Sequence, residues 1–317
     1  MRAKLRKIIK RIIDLKEKKQ KKEGKKMNDI EDVVSNVINN DNNKGFDKEK
    51  WIKQKNEDRQ KAYDMIDKTA NDIVTNIDKY KVYLDVQSRF DKYSVGNGLL
   101  ITAQMPNATK IKDYQDWKGA IKDFKNPIII LEPSSQYTRA DKTVATSYNP
   151  KKMYDISHTN IKDKTVEMNY DDKLKLAGLL NESPVNVKIV DSIENSNQYA
   201  QWNKNDNVLY IKKCENIKEL LPELAIEYAK VSLGEINNTE LDNFKCNSVA
   251  YMIAKKYDID TSKIKLDTIP YSLSNMESRE IRNELESVKT AMEDMNSRMS
   301  KKLEEVAKKQ KNKEQVR

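Results

Sequence analysis

The segment with the clearest catalytic potential lies in a helix predicted over residues 216–233, directly after a strand predicted over 208–211. Zinc peptidases present the motif His-Glu-x-x-His on such a helix, where two imidazoles one turn apart bind the metal and the glutamate acts as base. The corresponding residues here are Pro222-Glu223-Leu224-Ala225-Ile226. Only the glutamate is present, so we expect Glu223 to be vestigial and the helix to bind no metal.

The other potential metal ligands of the chain do not replace the missing histidines. The chain has one histidine, His158, and two cysteines, Cys214 and Cys246, which lack the CxxC spacing of zinc or redox sites. Because Glu219 and Glu227 flank it on the same helix, Glu223 is more simply interpreted as part of a solvated face than as a base. The sequence therefore predicts no enzyme activity, no cofactor and reduced, buried cysteines.

Positive charge is concentrated at the N-terminus. The net charge of the 317 residues is +10, and residues 1–26, with thirteen Lys/Arg and three acidic residues, account for all of it. These residues form a basic amphipathic pattern that favours binding to a nucleic acid or a membrane surface, although a solvated tail fits equally well. An Asn/Asp-rich linker follows to residue 50. No apolar run is long enough to span a bilayer or to act as a signal peptide, which predicts a cytoplasmic protein.

Aromatic residues are concentrated in residues 51–154, which contain twelve of the 22 in the chain. Several lysines lie near these rings in sequence, and rings beside positive charge are typical of surfaces that bind single-stranded nucleic acid. The alternative for any single ring, including Tyr114 and Trp117, is packing in the core of a small domain.

Periodicity along the rest of the body indicates short helices and strands. We predict helices over 95–105, 113–124, 171–182, 216–233 and 239–257, strands over 127–132, 152–157, 185–190 and 208–211, and a polar loop over 134–150. From residue 276 the apolar residues recur in steps of four and three, which predicts a coiled coil that joins two copies through 276–307. The alternatives are a lone solvated helix and a helix packed on the body. The repeated positions are Ile281, Leu285, Val288, Met292, Met295 and Met299, then Lys302 out of pattern, then Val306.

Residues 94–109 (SVGNGLLITAQMPNAT) resemble a motif of the ArdC-like antirestriction proteins of conjugative elements. Further similarity lies at 154–159 (YDISHT), where the family has glutamine in place of His158, at the Leu-Pro-Glu-Leu-Ala segment from residue 221, and at Ser-Val-Ala-Tyr from 248. The resemblance covers about residues 50–271. It implies a single-stranded-DNA-binding domain followed by a zinc-peptidase-like domain.

The chain departs from this family at the metal site. Pro222 and Ile226 replace both zinc-binding histidines, and Asn243 and Asn247 stand where the family tends to have carboxylates. The Gly- and Lys-rich turn that the family carries before its strand is replaced by residues 120–126 (AIKDFKN). The resemblance therefore implies a retained fold with a degenerate metal site.

Together these patterns predict an α+β fold with four parts. They are a basic arm and linker (1–50), a small mixed single-stranded-DNA-binding domain (51–164), a degenerate metallopeptidase-like domain (165–272) and a coiled-coil helix (276–310).

The favoured hypothesis is a non-catalytic, single-stranded-DNA-binding accessory protein of a mobile element, with an antirestriction role implied by the resemblance. The alternative is a protein-interaction scaffold that has kept the fold without DNA binding or catalysis. The predicted DNA-binding residues are Asn97, Gln104, Lys110, Lys112, Tyr114, Trp117, Lys118 and Arg139.

Overall fold

The computed structural model describes residues 47–162, 170–194, 196–234, 237 and 239–315. The predicted basic arm and nearly all of the linker lie outside these residues. The chain divides into two compact units, one containing residues 1–59 and 132–149 and the other containing 60–131 and 150–317. The described residues form two three-stranded sheets and helices up to 38 residues long, which confirms the predicted α+β class.

The described part of the first unit consists of the start of helix α1 (Lys48–Ile73) and the far end of a hairpin formed by β2 (Ile128–Thr138) and β3 (Val144–Asp155). Arg59 ties the helix to the hairpin: its Nε donates to the Tyr148 carbonyl at 2.6 Å and its Nη2 to Asn149 Oδ1 at 3.0 Å.

The predicted polar loop over 134–150 is therefore wrong, because β2 continues through Pro133 to the hairpin turn. Its residues are exposed from Glu132 onwards, so they show no alternation of apolar and polar side chains. Proline is tolerated at this point because β2 is an edge strand, where a missing backbone N–H need not break the ladder.

In the second unit, helices α2 (Ile77–Arg89) and α3 (Val95–Gln104) pack beside the first sheet, whose strand order is β1-β3-β2, with β1 (Ile111–Lys112) antiparallel to β3. The helix predicted over 95–105 is confirmed. Gly98 lets α3 approach α2 closely, since a Cβ atom there would lie 2.2 Å from the buried Gln87 Oε1.

The helix predicted over 113–124 is wrong, because this segment forms turns instead. Lys118 and Gly119 both adopt positive φ angles, 49° and 79°, which a continuing right-handed helix does not allow. The chain then pairs with residues after β3: Lys122 N donates to the His158 carbonyl at 2.8 Å and Asn160 N to the Ala120 carbonyl at 3.1 Å.

The second sheet follows helix α4 (Asp172–Leu180) and has the order β4-β6-β5. Strand β6 (Val208–Lys212) runs parallel to β4 (Asn186–Val190) and antiparallel to β5 (Ala200–Asn203). The sequence analysis missed β5, because four residues are too few to show an alternating pattern. Its other strands and the helix before them are confirmed.

Helix α5 (Ile217–Leu233) packs against β5, and helix α6 (Glu240–Tyr257) packs against α5. Both helices were predicted from the sequence. Tyr80 Oη lies 3.1 Å from Ser248 Oγ in the buried interior, which joins α2 to α6. One hydrophobic cluster includes residues on both sides of the predicted boundary at 164/165. Residues 163–169 are outside the described part, and the predicted domain limits stay a prediction.

After the short helix α7 (Tyr271–Ser274), helix α8 runs over Ser278–Gln315. Its repeated apolar positions from Ile281 to Met299 are buried and pack against α4, α5 and α6 of the same chain, whereas Val306 is partly exposed. This packing matches the alternative of a helix packed on the body. Self-association through 276–307 stays a prediction.

The seam also differs from the heptad pattern at one position. Leu303 is buried, whereas Lys302 is not, so the step after Met299 is four residues where a strict heptad needs three. A straight α-helix has 3.6 residues per turn, and an occasional extra step of four keeps its apolar side chains on one face. Among the described residues, no helix is both long and apolar enough to cross a membrane.

The burial of the seam predicts that Met292→Ala lowers the free energy of unfolding by about 2–5 kcal/mol, because it leaves a cavity between helices. Urea denaturation followed by circular dichroism measures this loss. The control is Asn283→Ala at an exposed position of the same helix. A change equally small in both variants would contradict the packing of α8 on the body.

Candidate nucleic-acid-binding surface

The helix that contains Glu223 holds an edge strand in place. Glu223 Oε2 accepts a hydrogen bond from Tyr199 N at 2.5 Å, and Glu227 Oε2 accepts one from Trp202 N at 2.8 Å. Tyr199 and Trp202 lie at the start of β5 and within it, at the edge of the second sheet. Glu227 is 2% exposed and its other oxygen lies 2.6 Å from Lys230 Nζ. The expectation of a solvated face is therefore wrong for Glu227.

A lysine occupies the space beside Glu223. Lys263 Nζ forms an ion pair with Glu219, lies 3.6 Å from Glu223 Oε1 and is 5.3 Å from the centre of the Tyr199 ring. The hydrogen bond to Glu219 raises the pKa of Lys263 above its ordinary value, which keeps the ammonium group charged. The Lys263 ammonium group thus lies beside two carboxylates of this helix, Glu219 and Glu223.

The donor set at this position does not fit the metal that the family resemblance implies. Pro222 and Ile226 have no donor atom, and the Asn247 side chain bonds to the backbone, accepting from Lys265 N at 3.1 Å. Burial raises the pKa of the Cys246 thiol to about 12, far from the thiolate that metals bind. Within the described residues, no three His, Cys, Asp or Glu side chains form a group that suits a metal ion.

Two of the predicted DNA-binding residues instead support the first sheet. Asn97 Nδ2 donates to the Leu131 carbonyl at 2.9 Å while Leu131 N donates to Asn97 Oδ1 at 2.8 Å. Gln104 makes the same paired contacts with Ile129, both at 2.9 Å. The two side-chain amides, two helical turns apart on α3, thus replace a missing neighbour of edge strand β2.

Trp117 is also structural. Its side chain is 4% exposed, packs with Ile121, Tyr154 and Ile156, and its Nε1 donates to the Tyr154 carbonyl at 2.7 Å. The packing alternative therefore applies to this ring. Lys112 Nζ lies 5.2 Å from the ring centre.

An exposed aromatic pair stands beside this small core. Tyr114 and Phe124 are 54% and 51% exposed, and their ring centroids lie 5.9 Å apart. The row continues inwards, since Phe124 lies 5.9 Å from the ring of Tyr154, which lies 6.2 Å from His158. Two accessible rings supported by the buried ring of Tyr154 form a surface on which flat ligands can stack.

Lysines lie close to Tyr114 and Phe124 in the sequence. Residues 110–125 contain five lysines and three aspartates, and Lys110, Lys118, Lys122 and Lys125 are exposed. One aspartate is partly neutralised, because Asp113 Oδ2 lies 3.2 Å from Lys151 Nζ. Arg139, the remaining predicted DNA-binding residue, lies in the hairpin of the other compact unit.

Asp155 holds the backbone of residues 109–110, where the lysine-rich segment begins. Its Oδ2 accepts from Thr109 N at 2.8 Å and Lys110 N at 2.9 Å, and its Oδ1 accepts from Ser157 N at 3.0 Å. Burial alone would raise the pKa of the carboxyl group, but these backbone donors outweigh it and hold the pKa below the ordinary 3.8. The carboxylate thereby pins residues 109–110 to the end of β3.

The predicted set of DNA-binding residues omits Phe124. It lies in the segment that was predicted to be a helix, where its position relative to Tyr114 could not be inferred. Lys122 and Lys125 were omitted for the same reason. The signal available in the sequence was the unusual density of rings and lysines in this part of the chain.

The paired amide contacts predict that Asn97→Ala lowers the free energy of unfolding by about 1–3 kcal/mol, because Leu131 is left with unsatisfied buried groups. Chemical denaturation measures the loss, with the exposed Asn107→Ala as control. Affinity of the folded variant for single-stranded DNA should not change. A selective loss of affinity without loss of stability would restore Asn97 as a DNA contact.

The lowered pKa of Asp155 predicts a pH-dependent contribution to stability. The ionised carboxylate stabilises the folded state above about pH 4 and loses this effect as the pH falls below it. The difference in unfolding free energy between wild type and Asp155→Asn should therefore shrink from neutral pH towards pH ~2. Urea denaturation across this range tests it, with the exposed Asp116→Asn as control, and a difference independent of pH would disprove it.

Comparison with solved structures finds two forms of the antirestriction protein ArdC of plasmid R388. The metal-free form has 8% sequence identity and a TM-score of 0.44, over 66% of this chain and 86% of that chain. The Mn(II)-bound form has 10% identity and a TM-score of 0.43, over 65% and 85%. No protein-family model and no curated protein matches the chain.

Proposed function

We propose that this protein is a non-catalytic, single-stranded-DNA-binding accessory protein of a mobile element. The observation that carries the proposal is the exposed Tyr114–Phe124 pair within a segment rich in exposed lysines. The surface defined by Tyr114, Phe124, Lys110, Lys118, Lys122 and Lys125 is called the aromatic–lysine surface below.

The aromatic rings favour a single strand over a duplex. Unpaired bases expose both π faces, so they can stack on side chains such as Tyr114 and Phe124, each with a contribution of about 1–3 kcal/mol. In a duplex those faces are covered by neighbouring base pairs. Any base can stack on these two rings, so we expect the binding to show little sequence preference.

The lysines supply the second component of the binding energy. Contacts with phosphates release counterions, and this makes the affinity fall as the salt concentration rises. The excess of positive charge across residues 110–125 is small, five lysines against three aspartates, so we expect moderate affinity at physiological salt. Arg139 and the N-terminal arm are further candidates for phosphate contacts.

The mobile-element and antirestriction parts of the proposal rest on the sequence motif at 94–109. Several motif residues have a structural role, since Asn97 and Gln104 bond to an edge strand and Gly98 allows two helices to approach. These motif residues thus stabilise the first sheet, and the aromatic–lysine surface lies beside that sheet. An antirestriction assay in cells would test this part separately.

The non-catalytic part rests on the chemistry of the former metal site. The carboxylate of Glu223 already accepts a backbone hydrogen bond and lies beside the Lys263 ammonium group. A general base needs access to a substrate proton, and this carboxylate is engaged in holding β5.

The test is fluorescence anisotropy of labelled oligo-dT with the full chain. Tyr114→Ala and Phe124→Ala should each raise Kd about five-fold or more, because a stacked base loses its partner. Tyr271→Ala is the matched control, since Tyr271 is 80% exposed and lies outside this surface. Lys118→Ala should reduce the slope of log Kd against log salt by about 0.7, the value for one phosphate on a single strand.

Two results would overturn the proposal. One is the absence of salt-dependent oligo-dT binding by the full chain at low ionic strength, which would favour the interaction-scaffold alternative. The other is equal loss of affinity in Tyr114→Ala and Tyr271→Ala, which would mean that the binding surface lies elsewhere.

A further inference from the structure

The second sheet carries a cleft that could bind a ligand, and its residues are remote in sequence from the aromatic–lysine surface. This cleft of about 680 Å³ opens between this sheet and the segment that follows β4. This size is within the range typical of small-ligand sites. The lining includes Glu194, Gln201, Trp202, Lys204, Tyr210 and Lys230.

The strand register shows which face of the sheet forms the cleft. Tyr210 is paired with Gln201 on β5 and with Lys188 on β4, so these three side chains share a face. Leu209, next to Tyr210 on β6, points to the opposite face and is buried in the hydrophobic core. Gln201 and Tyr210 therefore line the cleft from the sheet face away from the core. Trp202 is paired with Leu209, so it lies on the other face of edge strand β5, and Trp202 and Lys230 line the cleft around the edge of this strand.

Both aromatic rings of the cleft are held by the turn between β5 and β6. Tyr210 Oη donates to Asp206 Oδ2 at 2.6 Å, and Trp202 Nε1 donates to Asn207 Oδ1 at 3.4 Å. The hydrogen bond to Asp206 also raises the pKa of Tyr210, which keeps the phenol a neutral donor. Rings oriented in advance lose little conformational entropy when a ligand binds.

The remaining lining residues are rich in amides. Gln198, Gln201, Asn203 and Asn205 present both hydrogen-bond donors and acceptors, and the lining includes two lysines and a single carboxylate. One carboxylate is a poor metal site, and this many polar groups do not suit an apolar ligand. An unpaired nucleobase fits the set, because its flat face stacks on aromatic rings while its edge bonds to amides.

The lysines give the cleft a place for a phosphate group. Lys204 lies exposed in the turn after β5. Lys188 Nζ lies 6.0 Å from the centre of the Tyr210 ring, which adds a second cation near the stacking face. Lys230 is engaged by Glu227 and contributes less free charge.

We infer that this cleft binds one nucleotide with an unpaired base, either free or within a single strand. The inference does not depend on the aromatic–lysine surface, because it rests on different residues of a different sheet. If both sites operate on one strand, the cleft adds a base-reading contact to a surface that binds by stacking.

The experiment uses the full chain and three probes. Equilibrium dialysis measures binding of dTMP, of ribose 5-phosphate as a probe without a base, and of a short oligo-dT. We expect dTMP to bind and ribose 5-phosphate to bind at least about five-fold more weakly, because the stacked base is missing. Trp202→Ala and Lys204→Ala should each weaken dTMP binding by a similar factor.

Matched variants keep the test informative. Lys213→Ala removes an exposed lysine just beyond β6 that pairs with Asp191 and does not line the cleft, so dTMP binding should be unchanged. Lys204 is exposed, so its variant tests the cleft even if Trp202→Ala fails to fold. Tyr271→Ala should also leave dTMP binding intact, because Tyr271 is exposed and lies outside both this cleft and the aromatic–lysine surface.

The two ligand sources give different outcomes. A free nucleotide is supported if dTMP binds as well as the oligonucleotide, and a strand is supported if the oligonucleotide binds more tightly and Trp202→Ala weakens it. The inference is overturned if neither dTMP nor oligo-dT responds to Trp202→Ala and Lys204→Ala. Equal binding of dTMP and ribose 5-phosphate would also overturn it, since the base would then make no contact.

Discussion

The structure depends on helix side chains that satisfy the open edges of two small sheets. Each sheet has three strands, so edge strands with unpaired backbone groups form a large part of it. Asn97 and Gln104 on α3 bond to β2, and Glu223 and Glu227 on α5 bond to the N–H groups of β5 and the residue before it. The aromatic–lysine surface lies beside the first sheet and the cleft lies on the second. Both sites therefore rely on strands that these four side chains hold.

This constraint explains why residues with the chemistry of a functional site make structural contacts in this fold. An amide that bonds to both backbone groups of a strand residue and an amide that reads a nucleobase require the same chemistry, so residue type alone does not separate the two roles. The same holds for Glu223, since a carboxylate in a helix after a strand suits either a catalytic base or an acceptor for strand N–H groups. Only the position of the neighbouring strand, which depends on the missed β5, decides between them.

Much of the fold could be predicted, and the failures share a cause. The α+β class, helices α3 to α6 and strand β6 follow from periodicity, because their buried faces are apolar and regular. Strand β4 was predicted from its apolar residues, although Val187 and Ile189 are exposed in the structure. The hairpin over 132–149 failed because its side chains are polar on both faces, and 113–124 failed because a positive φ at Lys118 interrupts an apparently helical pattern. For the candidate surface, Tyr114 and its lysines were predictable from local density, whereas the pairing with Phe124 depends on chain reversal through turns. The heptad seam of α8 was recognised correctly, but its pattern does not reveal whether the opposing helices belong to another copy or to the same chain.

The position of α8 also affects how the protein is made. This helix covers α4, α5 and α6, and the ribosome synthesises it after all three. At about 5–20 residues per second, the 38 residues of α8 take roughly 2–8 seconds to emerge. During that interval the apolar faces of the earlier helices lack their natural cover and are accessible to chaperones or to other nascent chains. The core is thus complete only once α8 has been synthesised and has docked on α4, α5 and α6.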